Sequence, residues 1–331
     1  MIALWNLTVE RQLAGSWLVR AAYVGNKGTH LYGTADQESG LFQANPAIYI
    51  PGNNPDGTPK STVDNEQSRR LHQGYSNVSV VDSAINSHYN GLQLTVEKRM
   101  SSGLSLLANY TWSKDMNDFA PIGSYYGPTN PFNRHFDYGP SDDDNRNVFK
   151  FSGTYQLPHF GVSGFADKAV NGWQVSSIVT WQGGFPFTIY SGVDNSLAGE
   201  FEDRADFTGS SINKAQLGSG RSHAAMVQQW FNTSLFQPNA IGTFGNMAKN
   251  ALRGPRMFNN NMSLVKDTKI AERFGVQFRA EAFNVFNNVN FQLYTSNGST
   301  GLDRYQADQT FGQIFNAAAP RILQLALKVT F

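Results

Sequence analysis

Nine stretches of this sequence alternate apolar and polar residues with period two, and the connections between them alternate between short and long. Period two places successive side chains on opposite faces of a β-strand. The end of the chain, RILQLALKVTF (321–331), is the clearest case. Leu323, Leu325, Leu327, Val329 and Phe331 share one face; Ile322, Gln324, Ala326, Lys328 and Thr330 share the other. The same reading covers 4–13, 16–24, 92–99, 103–113, 147–157, 172–182, 261–270 and 274–283. Short connections fall at 14–16, 101–102, 158–170 and 271–273, and long ones at roughly 27–87, 115–145, 191–256 and 287–319. Ten of the 13 prolines lie in the first three long connections, which keeps those stretches out of the strands. Compact soluble domains seldom carry four such loops, whereas membrane barrels have short turns at one end and long loops at the other.

The two faces differ in the way a barrel wall requires. Arg20, Glu10, Glu97, Arg99, Lys150, Arg279, Glu281 and Lys328 share one face, and the opposite face is almost wholly aliphatic or aromatic. Aromatics gather at the strand ends: Trp17, Trp173, Phe274 and Phe331 by the short turns, Trp5, Tyr110, Trp112 and Trp181 by the long loops. Two such belts fit two lipid–water interfaces. Charged residues are only 15%, below the roughly 25% of soluble domains. A net charge of +1 gives no bulk attraction to nucleic acid, and the lack of Cys excludes disulfides and cysteine metal sites. The mean hydropathy of −0.38 does not exclude a barrel, because alternation hides lipid-facing residues in the average. The expected fold is all-β: an antiparallel up-and-down transmembrane β-barrel segment of about nine strands, with long extracellular loops, in contact with outer-membrane lipid. A soluble β-sandwich would instead scatter its aromatics through a core and keep its loops short.

Three blocks resemble successive barrel segments of TonB-dependent receptors, nearest to the Oar-like group: SHYNGLQLTVEKRMSSGLSLLANYTWSKDMND (87–118), DYGPSDDDNRNVFKFSGTYQLP (137–158) and NGWQVSSIVTWQGGFPFTIYSG (171–192). RFGVQFRAEAFNVFNNVNF (273–291), FGQI (311–314) and PRILQLALKVTF (320–331) resemble that group's C-terminal end. The resemblance implies that 1–331 is the C-terminal portion of a receptor barrel, a piece of a longer precursor of the outer membrane. Met1 is followed by IALWNLTVERQL, which has no basic segment, apolar core or cleavage site. A signal peptide, a TonB-contact segment and a plug domain are therefore expected outside this chain, with the plug and TonB as partners of the full-length protein. The resemblance also implies that Gln324, Ala326, Val329 and Phe331 form the signal read by the barrel-assembly machinery. Ala326 stands where that signal usually has Gly.

Catalytic chemistry is not expected. The six histidines form no H-E-x-x-H, no G-x-S-x-G occurs, and GSGRS (218–222) lacks the Lys of a phosphate loop, so it reads as a flexible turn. SDDDNRN (141–147) lacks the ligand spacing of a calcium loop and reads as a solvated acidic turn. No cofactor or metal is called for. Arg20, Glu97, Arg99, Arg279 and Glu281 are candidates to face the lumen, either along a substrate path or as a charge lattice against water or a plug. Tyr125, Tyr126, Phe132 and Phe136 are candidates to stack on a sugar or aromatic nutrient, the alternative being packing of the loop on itself. Two functions follow: a transporter barrel fragment taking up a small nutrient or carbohydrate, or a surface interaction and adhesion protein whose loops bind partners without transport.

Overall fold

A computed structural model describes residues 1–32, 41–120, 128–199, 203–218, 220–270, 274–294 and 301–331. Nine strands form the wall: β1 (Ile2–Leu13), β2 (Trp17–Leu31), β3 (Ile85–Ser101), β4 (Leu104–Asn117), β5 (Asn147–Gln156), β6 (Trp173–Gln182), β7 (Met257–Lys269), β8 (Gly275–Phe283) and β9 (Ile322–Thr330). Each pairs antiparallel with the next in chain order, giving one up-and-down sheet, with a two-residue strand at Gly139–Pro140 beside β4. The strands run from 9 to 17 residues, and about 9–11 suffice to cross a bilayer when tilted. Among the described residues no pairing joins β1 to β9, so the sheet is open at both edges.

The register carries the alternation across the whole sheet. Val9, Ala21, Leu94, Tyr110, Phe149, Trp181 and Phe258 form one continuous row on one face. Glu10, Arg20, Thr95, Asn109, Lys150, Thr180 and Asn259 form the adjacent row on the other. Leu7, Val9, Leu323, Leu325 and Leu327 are 64–72% exposed, which a sheet folded in water would cover. The family found below makes this the lipid-facing side. No helix among the described residues is long and apolar enough to cross a membrane, which says nothing about strands.

Strands β2, β3 and β4 extend beyond the apolar pattern. Gly28 pairs with Ser87, and Ser87 with Asn117, although 25–31 and 85–91 have no apolar alternation. Backbone pairing continues where both faces meet polar surroundings, so the sequence signal ends before the strand does. The turn between β3 and β4 is Ser102–Gly103, with φ of 50° and 76°. Two positive values suit a tight hairpin turn whose twist matches its strands. A Cβ on Gly103 would meet the carbonyl oxygen of Gln156 at 2.5 Å, so no larger residue fits without a shift.

The buried core lies outside the wall. Phe187, Ile189, Trp230, Phe231, Phe236, Met247 and Leu252 from residues 183–256 pack with Leu293, Leu302 and Ile314 from 284–321. Every residue of this cluster belongs to these long connections and none to the nine strands. A barrel wall turns its apolar side to lipid, so burial in water is left to the cap of loops.

Candidate functional site

The loop cap is held by charges placed inside it. Arg204 and Asp137, 1% and 0% exposed, form an ion pair between the loop 183–256 and the loop 118–146. Asp137 also accepts from the Thr129 amide and hydroxyl, both at 2.8 Å. The Arg204 guanidinium donates to the Met247 carbonyl at 3.2 Å and lies 4.3 Å over the Phe136 ring. Buried ions are tolerated when paired and hydrogen-bonded, and these bonds meet that condition for all but the Arg204 Nε, which is buried without a partner. Asp144 accepts the Asp115 amide at 2.7 Å and pairs with Arg253. Lys249 is buried and donates to the Asn117 side chain and, at 2.6 Å, to the Phe119 carbonyl. Burial lowers its amine to about 8, against the raising effect of nearby Asp142 and Asp137.

The first long loop joins the same cap. Arg69 donates to the carbonyls of Ile48 at 2.8 Å and Leu197 at 2.9 Å, tying residues 32–84 to 183–256. Beside it, burial first and the Asp194 carboxyl second push Glu66 up to about 7. Asp203 is raised to about 6, again mainly by burial, against the Asn239 amide that it accepts at 2.8 Å.

The residues singled out from sequence fall in separate places. Arg20, Glu97, Arg99, Arg279 and Glu281 all lie on the polar face. Arg20 donates to Glu10 at 2.6 Å, while the Arg99–Glu97 and Arg279–Glu281 separations are 3.7 Å. Glu97 and Arg99 line a shallow trough of about 530 Å³ with Ser152, Thr154 and Ser176. Arg279 and Glu281 lie outside that trough. Gln324, Ala326 and Val329 stand on the open edge strand β9, and Phe331 follows it, 94% exposed. Phe132 is 54% exposed and 6.2 Å from Phe244, whereas Phe136 is half-buried beneath Arg204. Tyr125 and Tyr126 lie outside the described residues, as does the short connection 271–273.

Two expectations are corrected. SDDDNRN is not a solvated turn: Asp144 is buried against Arg253, and Asp142 accepts from the Asn250 amide at 2.9 Å, leaving Asp143 exposed. Their partners lie more than 100 residues away, so nothing local betrays the pairing. GSGRS is not a free turn in its described part. Ser222 caps the helix His223–Gln228, and Arg221 donates to the carbonyls of Gly218, Ala225, Gln229 and Trp230. The ion pairs of the cap escaped the sequence reading for the same reason: their members are scattered singly through polar loops.

A second cavity opens where the cap meets the wall. It measures about 480 Å³ and is lined by Trp181, Phe258, Trp230, Phe291, Arg256, Asn287, Asn288 and Asn290, among others.

A family model described as an outer membrane beta barrel domain matches residues 1–324. No curated protein matches the sequence at a significant level. Among solved structures, the chain is similar to the Escherichia coli outer membrane transporter YddB at 8% identity, covering 98% of this chain and 32% of that one, with a TM-score of 0.46. It is also similar to the E. coli ferric-catecholate import receptor Fiu (10% identity, 98% and 27% covered, TM-score 0.41). For Pseudomonas aeruginosa FpvA, solved bound to heterologous pyoverdines, the values are 9%, 99% and 27%, and 0.42. The chain thus spans about a third of the length of the first of these structures, or less. With the model matching nearly the whole chain, and a sheet of the corresponding architecture, the chain belongs to the outer membrane β-barrel domain family and sits in the outer membrane.

Proposed function

We propose that this chain supplies wall and surface loops to a TonB-dependent receptor that takes up a small nutrient or carbohydrate across the outer membrane. One observation carries the reading: a nine-stranded meander of membrane-crossing length, with the outer edges of β1 and β9 both without a partner among the described residues. Unpaired strand edges are not tolerated in lipid, so the wall needs further strands to close. A larger closed wall has a lumen wide enough to need a plug. The polar face, with Arg20, Glu97, Arg99, Arg279 and Glu281, then meets that plug and the water around it. The short turns face the periplasm and the long loops face outward, where Phe132 is accessible to a ligand. Phe331 and the alternation before it serve assembly at the closing seam, which agrees with the resemblance of 320–331 to the family's C-terminal end. The Oar-like assignment and the position of the chain at the end of a longer receptor rest on that same resemblance.

The cap favours a second reading, adhesion, because a loop surface locked by buried ion pairs also suits rigid binding of a partner. Uptake and adhesion separate in cells. Medium depletion is compared between the parent strain, a deletion of the gene, and the parent strain treated with a protonophore. A solute removed only by the untreated parent strain supports energised uptake. Binding that survives the protonophore, with no solute depleted, supports adhesion.

A further inference from the structure

The charges on the lipid-facing side are all positive, and their state differs between the two ends of the wall. No strand places Asp or Glu on this face, whereas Arg11, Lys27, Lys98, Lys114 and Lys266 stand there by register. At the short-turn end, lysines are consumed internally. Lys98 lies 5.9 Å from the Trp17 ring centre and donates to the Ser101 carbonyl at 3.0 Å. Lys266 repeats the arrangement, 5.6 Å from Trp173 and donating to the Asn171 carbonyl. Arg11, on the open edge strand, is the exception. At the loop end Lys27, Lys114 and Arg256 are exposed and have no hydrogen-bond or ion-pair partner among the described residues.

Two hollows sit among these free cations. The 480 Å³ cavity puts Arg256 and His223 beside the rings of Trp181, Trp230 and Phe258, with the Asn287, Asn288 and Asn290 amides opposite and no carboxylate in its lining. The Asn288 amide nitrogen is buried and unpartnered, a donor without an acceptor. The second, of about 380 Å³, sets Tyr23, Leu92 and Trp112 below Lys114 and Arg146. Arg146 is 53% exposed and 3.7 Å from an Asp144 already engaged by Arg253. Aromatic faces suit the C–H faces of sugar rings, amides suit hydroxyls, and guanidinium suits phosphate in bidentate geometry. Nonpolar residues beneath, in the lipid-facing rows, suit acyl chains.

We infer that the loop-end rim is a binding site for an anionic glycolipid of the outer leaflet, with its phosphorylated sugar headgroup in the Trp181–Arg256 cavity. The inference rests on the outward orientation of the loops given above but not on transport. Apart from Arg11 on the open edge strand, the cations left free on this face gather where the wall meets that leaflet and await an anion supplied by the membrane, and free phosphate would leave the aromatic walls unused. The cavity at Lys114 takes a second molecule of the same class with its chains along Leu92 and Trp112.

The test uses the protein extracted from outer membranes in mild detergent, delipidated, and titrated with bis-phosphorylated lipid A, monophosphorylated lipid A, phosphatidylglycerol and inorganic phosphate. Native mass spectrometry reads the bound lipid. Bis-phosphorylated lipid A is expected to bind best, and Arg256→Gln to weaken it at least fivefold, with Lys150→Gln on the polar face as an unaffected control. Equal binding of phosphatidylglycerol, or lipid A retention undiminished in Arg256→Gln, overturns the inference. Competition by phosphate alone at lipid A concentrations also overturns it, since the sugar and chains would then contribute nothing. Binding is read on purified protein and uptake on cells, so either result can fail without the other.

Discussion

Replacing Arg204 by methionine tests whether buried charge holds the loop cap. The substitution keeps side-chain length and removes the guanidinium that pairs with Asp137. Asp137, fully buried, is left with the Thr129 amide and hydroxyl as partners, and Met247 loses the donor at 3.2 Å. Removing one member of a buried pair costs about 3–5 kcal/mol, because the other charge stays desolvated. At roughly 1.4 kcal/mol per tenfold, local opening of the cap rises about 100-fold or more. Hydrogen exchange read by mass spectrometry on 129–138 and 203–207 measures that opening. Wall amides of the β4–β5 ladder, around Asn109 and Lys150, should not change. The double variant Arg204→Met with Asp137→Leu removes both charges and should recover about 2 kcal/mol of the loss. Unchanged exchange at 129–138 in Arg204→Met, or a double variant worse than the single one, refutes the reasoning.

Three further outcomes are expected. Phe331→Ala in the full-length protein should lower the amount of heat-modifiable barrel in membrane fractions, since the residue stands exposed just after the open edge strand β9; an unchanged amount argues against a role in assembly. The junction of Glu66 with Asp194 should weaken as pH rises from about 4.5 to 7. Glu66 holds a proton in the folded cap that it lacks unfolded, so its contribution is complete below 4.5 and lost through 7, on the order of 1–2 kcal/mol after solvent screening. Limited proteolysis within 183–256 should accelerate over that range in wild type and not in Glu66→Gln, and identical pH profiles would dismiss the carboxyl as the cause. The 331-residue chain expressed alone in buffer should aggregate, because β1, β9 and the exposed leucine face have nothing to cover them; a monodisperse, cooperatively melting monomer would contradict this.

The wall was legible because lipid imposes a rule on every second residue. Leu323 to Val329 show it alone, and the register extends it through nine strands. The rule lapses above the lipid, which is why Gly25–Leu31 and Ile85–Gly91 pair without announcing themselves. The cap was not legible, because no local pattern marks a partner brought from a distant loop. Arg253 meets Asp144 across 109 residues, and Arg69 reaches Leu197 across 128. Charges read from sequence as solvated are buried there, and Phe136, read as a candidate ligand aromatic, lies against Arg204. The rim cavities draw residues from four separate segments, so they appear only in three dimensions.

The central claim, that one face of this sheet meets lipid and the other meets water, is most directly tested by cysteine scanning along β9. The chain has no native cysteine, so each introduced thiol carries the only spin label within these 331 residues, and any cysteine elsewhere in the full-length protein is first replaced by serine. Single cysteines at 322–329 in the full-length protein, reconstituted in bilayers, are compared for collision with oxygen, which concentrates in lipid, and with a water-soluble nickel chelate. The account predicts strict alternation, with Leu323, Leu325, Leu327 and Val329 open to oxygen and Gln324, Ala326 and Lys328 open to the chelate or shielded from both. Equal accessibility at neighbouring positions, or chelate access at the leucines, would contradict it.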